Sequence, residues 1–426
     1  MHHEIIKKQT MWRVRILTAT WFSYAGFYFC RKNFAIAKSS IQESLAITSS
    51  DLAHIYTAYL IAYMLGQFTM SILGPKVATR ILLLAGMGIS IACNIIFGFS
   101  YLLGPAGYGP FLLFMIINGF AQAAGWPGNV GVLSNWLPQG ERGRIMAVWA
   151  TSYQLGSILA KVFAAFLLGY LGVIWSFWGA SAVLFGVWIL FYFLERDNPE
   201  DVGLDPIIEE VEVPVETSTH HESFLKGWNN NVLLSVFFMG CVYFVFKFLR
   251  YSLDSWAPMA IERLFHQTKE HSGYISTLFD WIGFTGVVVA GWVSDKYFHG
   301  KRHQTIFIMT CGMFVAFCLI AFIGVKSVWS FAACLAFCGF MLMGPDSLLA
   351  GVGAIDVGGR KMAIVAAGII NGLGSIGPIF QEEVIGWILD RYEFHFSFYM
   401  MIGICALGIL GSGYLSYRSR HGSSNL

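Results

Sequence analysis

Charge is what this 426-residue chain has least of. Asp, Glu, Lys and Arg make up 12% of it, about half of the ~25% usual in soluble proteins. The shortage is local as well as general: segments 81–99, 111–124 and 305–325 contain none of the four. A soluble fold could not cover a 56% hydrophobic composition with so few charges. Acid is missing from the whole stretch between Asp51 and Glu141. There is no Cys-x-x-Cys pair among the eight cysteines, and all eight fall in long apolar segments. That argues against a disulfide framework or a metal site and for buried apolar thiols. No Gly-x-Ser-x-Gly elbow occurs, and the one His-x-x-x-His spacing, His299 to His303, encloses Gly300, Lys301 and Arg302 in a basic loop. The expectation is therefore no enzyme, no cofactor and no bound metal. A net charge of +2 points to no nucleic-acid partner. No cleavable signal peptide is read, because the charged stretch Met1 to Arg15 leads straight into a long span.

What is present is a series of apolar runs near the ~20 residues needed to cross the hydrocarbon core. The 46 glycines suit close helix packing in lipid. The 14 Trp and 18 Tyr suit interfacial belts. Spans are expected at 14–38, 52–74, 80–101, 110–136, 143–171 and 174–194. A second set is expected at 231–262, 272–295, 303–325, 328–351, 361–389 and 394–417. Between them, Arg196 to Asn231 is polar and acidic, with Pro199, Pro206 and Pro214. The expected organisation is an N-terminal six-helix bundle (1–195), a cytoplasmic linker (196–230) and a C-terminal six-helix bundle (231–426). This is an all-α integral membrane protein of twelve transmembrane helices in two pseudo-symmetric halves. Duplicated six-helix halves suggest a transporter with its substrate site near the midplane.

Orientation follows from where Lys and Arg fall. With the N-terminus inside, 17 lie in inner loops or span ends, 4 in outer loops and 6 within spans. Both termini are thus expected to be cytoplasmic.

The six cations within spans are Arg31, Lys32, Lys38, Lys161, Lys247 and Arg250. Each costs about 2.5–3.5 kcal/mol at mid-bilayer on insertion scales. Arg31 and Arg250 lie at similar offsets in the first span of each half, so a two-fold repeat would bring them to matching places. There they could clamp a phosphate or carboxylate through their forked donors. The alternative is structural pairing. Asp254 follows Arg250 at i+4 and could share its face, whereas the span of Arg31 holds no nearby acid. Lys247 precedes Arg250 by three residues and reads either as a substrate ligand or as the partner of Asp280. Lys161 follows Gln154 by seven residues, on nearly the same face. Lys38 lies near the outer end, where it could snorkel. Acids in the second half are few: Asp280, Asp346, Glu382 and Glu383 are the candidates for charge pairing or coupling. Gly368 and Gly372 form a small-xxx-small pair, followed by Gly374, Gly377 and Pro378, where close approach and a local break are expected. Asp295 and Lys296, with Lys301 and Arg302, read equally as a gating latch and as a solvated loop.

In order along the chain stand Phe27-Tyr28-Phe29-Cys30-Arg31-Lys32-Asn33-Phe34, Gln122, Gly125-Trp126-Pro127, Glu141-Arg142-Gly143 and Val148-Trp149. Then come Arg196-Asp197-Asn198-Pro199, Leu249-Arg250-Tyr251, Gly291-Trp292-Val293-Ser294-Asp295-Lys296, Gly300-Lys301-Arg302, Gly344-Pro345 and Ala366-Ala367-Gly368. Together these resemble the organophosphate:phosphate antiporters of the major facilitator superfamily, which include the bacterial hexose-phosphate and glycerol-3-phosphate transporters and a sugar-phosphate sensor branch. The resemblance implies exchange of an organic phosphate for inorganic phosphate by alternating access, in a bacterial inner membrane and by a monomer. It implies Arg31 and Arg250 as phosphate ligands, with Lys32, Gln122, Trp126 and Tyr251 around them. Tyr153 stands where the family has a His, Gln67 where a Lys is common, and Gly74-Pro75-Lys76 where a loop Asp is usual. Two other readings stay open. One is a membrane sensor that signals to a kinase. The other is a proton-coupled symporter, which would need Asp280, Glu382 or Glu383.

Overall fold

A computed structural model describes residues 2–73, 76–138, 145–146, 148–206, 230–298, 301–349 and 354–420, with the backbone alone at 2–3, 5–6, 71–73, 230–232, 354–368 and 419–420. All regular structure among them is helical. The chain divides into two compact units, Met1–Ile47 with Ala58–Thr217, and Thr48–Thr57 with Ser218–Leu426.

The first unit is built on α1 (His2–Leu45), α2 (Ser49–Leu73), α3 (Thr79–Leu102), α4 (Tyr108–Gln122), α5 (Gly125–Trp136), α6 (Thr151–Leu171) and α7 (Val173–Leu194). The second holds α8 (Asn230–Phe265), α9 (Lys269–Ser276), α10 (Leu278–Lys296), α11 (Arg302–Phe322), α12 (Val328–Leu348), α13 (Ala354–Arg391) and α14 (Phe394–Arg420). The pairs α4–α5 and α9–α10 are each one interrupted crossing, so each half has six crossings. Nine of the twelve are long and apolar enough to span a membrane by composition among the described residues. The helix α1 is not among those nine; Arg31, Lys32 and Lys38 lie within it. Large apolar side chains exposed in both units, such as Phe68 and Phe193 in the first and Trp329 and Leu410 in the second, fit a lipid solvent; such a distribution would aggregate in water.

The structure redraws several expected elements. The span expected at 110–136 is broken at Ala123–Ala124, where the amides step back to i−3 carbonyls. Pro127 cannot donate to the carbonyl of Ala123, and its ring crowds that turn. The helix α1 begins well before residue 14. Its extra turns are held by a Trp12–Trp136 stack with centroids 6.3 Å apart and by Lys8, whose Nζ donates to the Val202 carbonyl at 2.6 Å. Residues 196–206, read as the start of the linker, are folded onto this unit. Trp136 Nε1 donates to the Arg196 carbonyl, the Arg80 amide to Asp197, and Leu204 is buried. Glu195 is buried at this end with its carboxylate 3.8 Å from Arg80 Nε. Burial, with Asp197 alongside, pushes its carboxyl up to about 8.

Glycine sets the closest helix approaches. A side chain at Gly339 of α12 would overlap the Phe279 carbonyl, and one at Gly286 of α10 the Phe340 carbonyl. On α13 the close contact is at Gly374, against Tyr243, and at Gly377, 2.5 Å from the Phe244 carbonyl as a Cβ would measure it. Gly372, expected in the packing pair, faces open space instead, and the surroundings of Gly368 lie outside the described residues. The first turns of α2 group with the second unit. Asp390 accepts from the Ser49 and Ser50 amides at 2.7 and 2.9 Å. Of the cysteines, Cys30, Cys93, Cys338 and Cys405 are buried. Cys241 is exposed on the outer apolar surface, which corrects the uniform buried reading.

Candidate functional site

Each unit presents its own cationic cluster. In the first, Arg31 projects from the middle of α1. Its Nε donates to Gln122 Oε1 at 3.3 Å. The Gln122 amide is oriented because its Nε2 donates to the Phe27 carbonyl at 3.1 Å. The guanidinium carbon lies 5.0 Å over the Tyr28 ring and 4.7 Å over Tyr63, contacts worth about 0.5–2 kcal/mol each. Arg31 Nη2 is buried with no hydrogen-bond acceptor, and no carboxylate among the described residues forms an ion pair with Arg31.

The backbone beneath Arg31 is fixed by amide side chains that sequence reasoning did not single out. The Cys30 carbonyl accepts from both Asn94 Nδ2 and Asn118 Nδ2 at 3.2 Å. Asn33 donates to Asn94 Oδ1 at 2.7 Å. Three helices thus hold the arginine's position. The only available signal was three Asn residues in otherwise apolar spans.

The other expected residues of this unit are dispersed. Lys32 is buried, with its Nζ 5.9 Å from the Tyr28 ring. Trp126 is 39% exposed and packs edge-on to Tyr24 at 5.4 Å. It belongs with Trp149 to an aromatic cluster that Tyr153 also packs against. The Tyr153 hydroxyl accepts from Gln154 at 3.4 Å. Lys161 is buried. Lys38 is fully buried too, so it does not snorkel to solvent.

In the second unit Arg250 Nη1 pairs with Asp346 Oδ2 at 2.8 Å. The residue expected as its partner was Asp254, one turn along α8. The observed pair joins α8 to α12 across 96 positions. Asp254 is buried, and Tyr251 follows Arg250 on α8, half-buried. Of the two readings open for Lys247, substrate ligand or partner of Asp280, the pairing is not the one seen. Its Nζ donates to Asn371 Oδ1 at 2.6 Å and to Ser375 Oγ at 3.2 Å, both on α13. Asp280 itself is buried at the start of α10. Glu382 is fully buried, and its two oxygens accept from Ser255, Trp256 Nε1 and Gln381. Glu383 instead reaches His54 at 3.1 Å and is 36% exposed. Asp295 meets Arg302 at 3.8 Å across the α10–α11 turn, and Lys296 lies over Trp292 at 4.7 Å.

Helical crossings with apolar side chains exposed on their surfaces and cations held inside both bundles define a multi-pass membrane carrier fold. The comparisons agree, and the chain belongs to the major facilitator superfamily, whose family model matches residues 20–381 and 240–425. It is similar to a glycerol-3-phosphate transporter of Bacillus subtilis, with 29% identity over 93% of this chain and 91% of that protein. It is also similar to a probable hexose phosphate transport protein of Chlamydia pneumoniae, with 25% identity over 96% and 92%. A membrane sensor protein, UhpC of Salmonella typhimurium, is 26% identical over 95% and 91%. Among solved structures, the D-xylose-proton symporter superposes with a TM-score of 0.73 at 13% identity, over 94% of this chain and 97% of that one. That likeness concerns the fold alone.

Proposed function

We propose that this protein exchanges an organic phosphate for inorganic phosphate by alternating access, with Arg31 and Arg250 each supplying a guanidinium to the phosphate oxygens. The observation that supports this most is Arg31. It is an always-charged group inside a bundle, without a carboxylate partner among the described residues and with a buried donor left over. A cation inside a bundle with no ion pair is costly, a cost that a ligand anion would offset. Relatives named for glycerol-3-phosphate and hexose phosphate support a phosphate cargo. Gln122, Tyr28 and Tyr63 hold the guanidinium plane, and Lys32 adds positive charge one residue on. Tyr153, Trp126 and Lys161 line the same bundle as secondary candidates, and Tyr251 does so in the second. The distribution of Lys and Arg supports cytoplasmic termini in an inner membrane.

The test is Arg31→Lys, purified and reconstituted with labelled phosphate inside proteoliposomes. Lys keeps the charge but loses the planar fork and its stacking. Exchange should fall at least about tenfold, since a hydrogen bond to a charged group is worth ~1.5–3 kcal/mol. Exchange near wild type would refute the arginine clamp.

A sensor reading is favoured by the sensor relative and by the Arg250–Asp346 pair, which neutralises one of the two arginines. Counterflow separates the two: a sensor binds phosphate compounds without exchanging them.

A further inference from the structure

Arg250 and Lys247 lie one turn apart on α8, on one face, yet their charges are treated differently. Arg250 meets a carboxylate, Asp346, at 2.8 Å. Lys247 is held by neutral groups, the Asn371 amide oxygen, the Ser375 hydroxyl and the Tyr243 ring, whose centroid is 4.9 Å away; the charges that reach it, Asp346 and Arg250, act in opposite senses. The ammonium is held in place and half-buried, but it is not neutralised by an ion pair. Two neutral acceptors orient a cation without consuming its charge. A structural tie between α8 and α13 would be met as well by Gln, which would avoid the cost of a charge inside the membrane. The positive charge therefore has a use that the tie does not explain.

We propose that Lys247 recognises a second anionic group on the substrate, so that the cargo is an organic phosphate carrying a further carboxylate or phosphate. This rests on the phosphate-binding reading above and specifies its substrate class. Arg250 is offset by Asp346 until phosphate arrives, whereas Lys247, in no ion pair of its own, offers its ammonium to a group set apart from that phosphate. A neutral hydroxyl at that place on the ligand could accept a hydrogen bond from the ammonium but gains less from it than an anion does.

The test compares 3-phosphoglycerate with glycerol-3-phosphate, which differ by a carboxylate in place of a hydroxymethyl group. Both compete against labelled inorganic phosphate for binding to the purified full-length protein. Wild type should prefer 3-phosphoglycerate by about tenfold or more, the size expected of one charge-assisted hydrogen bond. K247Q, which keeps a donor for Asn371 and Ser375, should abolish the preference, and K247R should retain it. Asn371→Asp leaves Lys247 untouched but puts a carboxylate against it. It too should abolish the preference, which keeps the proposal testable if K247Q folds poorly. A wild type that binds both compounds equally, or a preference that survives in K247Q or N371D, overturns this inference alone. A wild type that binds no phosphate compound overturns the phosphate-carrier reading and this inference with it.

Discussion

The Arg250–Asp346 pair makes a prediction with two readouts of opposite sign. Asp346 is buried and Arg250 about a quarter exposed, with 2.8 Å between Nη1 and Oδ2. If Arg250 is a phosphate ligand, the incoming anion competes with Asp346 for the same guanidinium. Asp346→Asn keeps the shape and removes the competing charge. The bond given up on binding is a charge-assisted one of ~1.5–3 kcal/mol, so phosphate affinity should rise about 10- to 100-fold. Stability should move the other way. Removing one partner of a fully buried ion pair costs about 3–5 kcal/mol. Arg250 retains some access to solvent, so roughly 2 kcal/mol is expected here. The assay is phosphate binding to purified D346N by calorimetry, beside its thermal midpoint without ligand. Tighter binding with a lower midpoint is the expected result. Weaker binding would mean that Asp346 aims Arg250 at the ligand rather than competing for it, and the reasoning would fall.

Two further expectations test the fold around these clusters. Glu195 has its carboxyl raised to about 8 by burial and by Asp197. A raised value favours the protonated form in the folded state, so this stabilisation is complete below the ordinary value of 4.5 and is lost as pH rises through about 8. The thermal midpoint of the wild type should fall between pH 6 and pH 9, and that of E195Q should not; equal slopes would remove the carboxyl as the cause. On α12, Gly339→Val drives a side chain into the Phe279 carbonyl and should cost about 1–3 kcal/mol, lowering the midpoint. Gly403→Val on α14, where nothing lies within 4 Å, serves as the control and should leave it unchanged.

The parts of this architecture that were legible in sequence are those set by local composition. Apolar runs specify spans because lipid demands about 20 such residues whatever the fold. Arg31 stood out for the same kind of reason. With no acid between Asp51 and Glu141, nothing in most of the first half could neutralise it, and the structure pairs it with no carboxylate among the described residues. What stayed hidden depends on neighbours brought together by folding. Asp346 lies 96 positions from Arg250, whereas helical periodicity could offer only Asp254. Asn33, Asn94 and Asn118 look like mild polar interruptions of three separate spans until their side chains converge beside Arg31. Lys247 shows the difference most sharply. Sequence left it open between a substrate ligand and the partner of Asp280. The structure gives it an amide and a hydroxyl, so its charge is oriented rather than cancelled. In a solvent that penalises every unpaired charge, a lysine placed in that way is evidence about the ligand. On the proposal made above, it is the protein's half of an ion pair whose other half is the cargo.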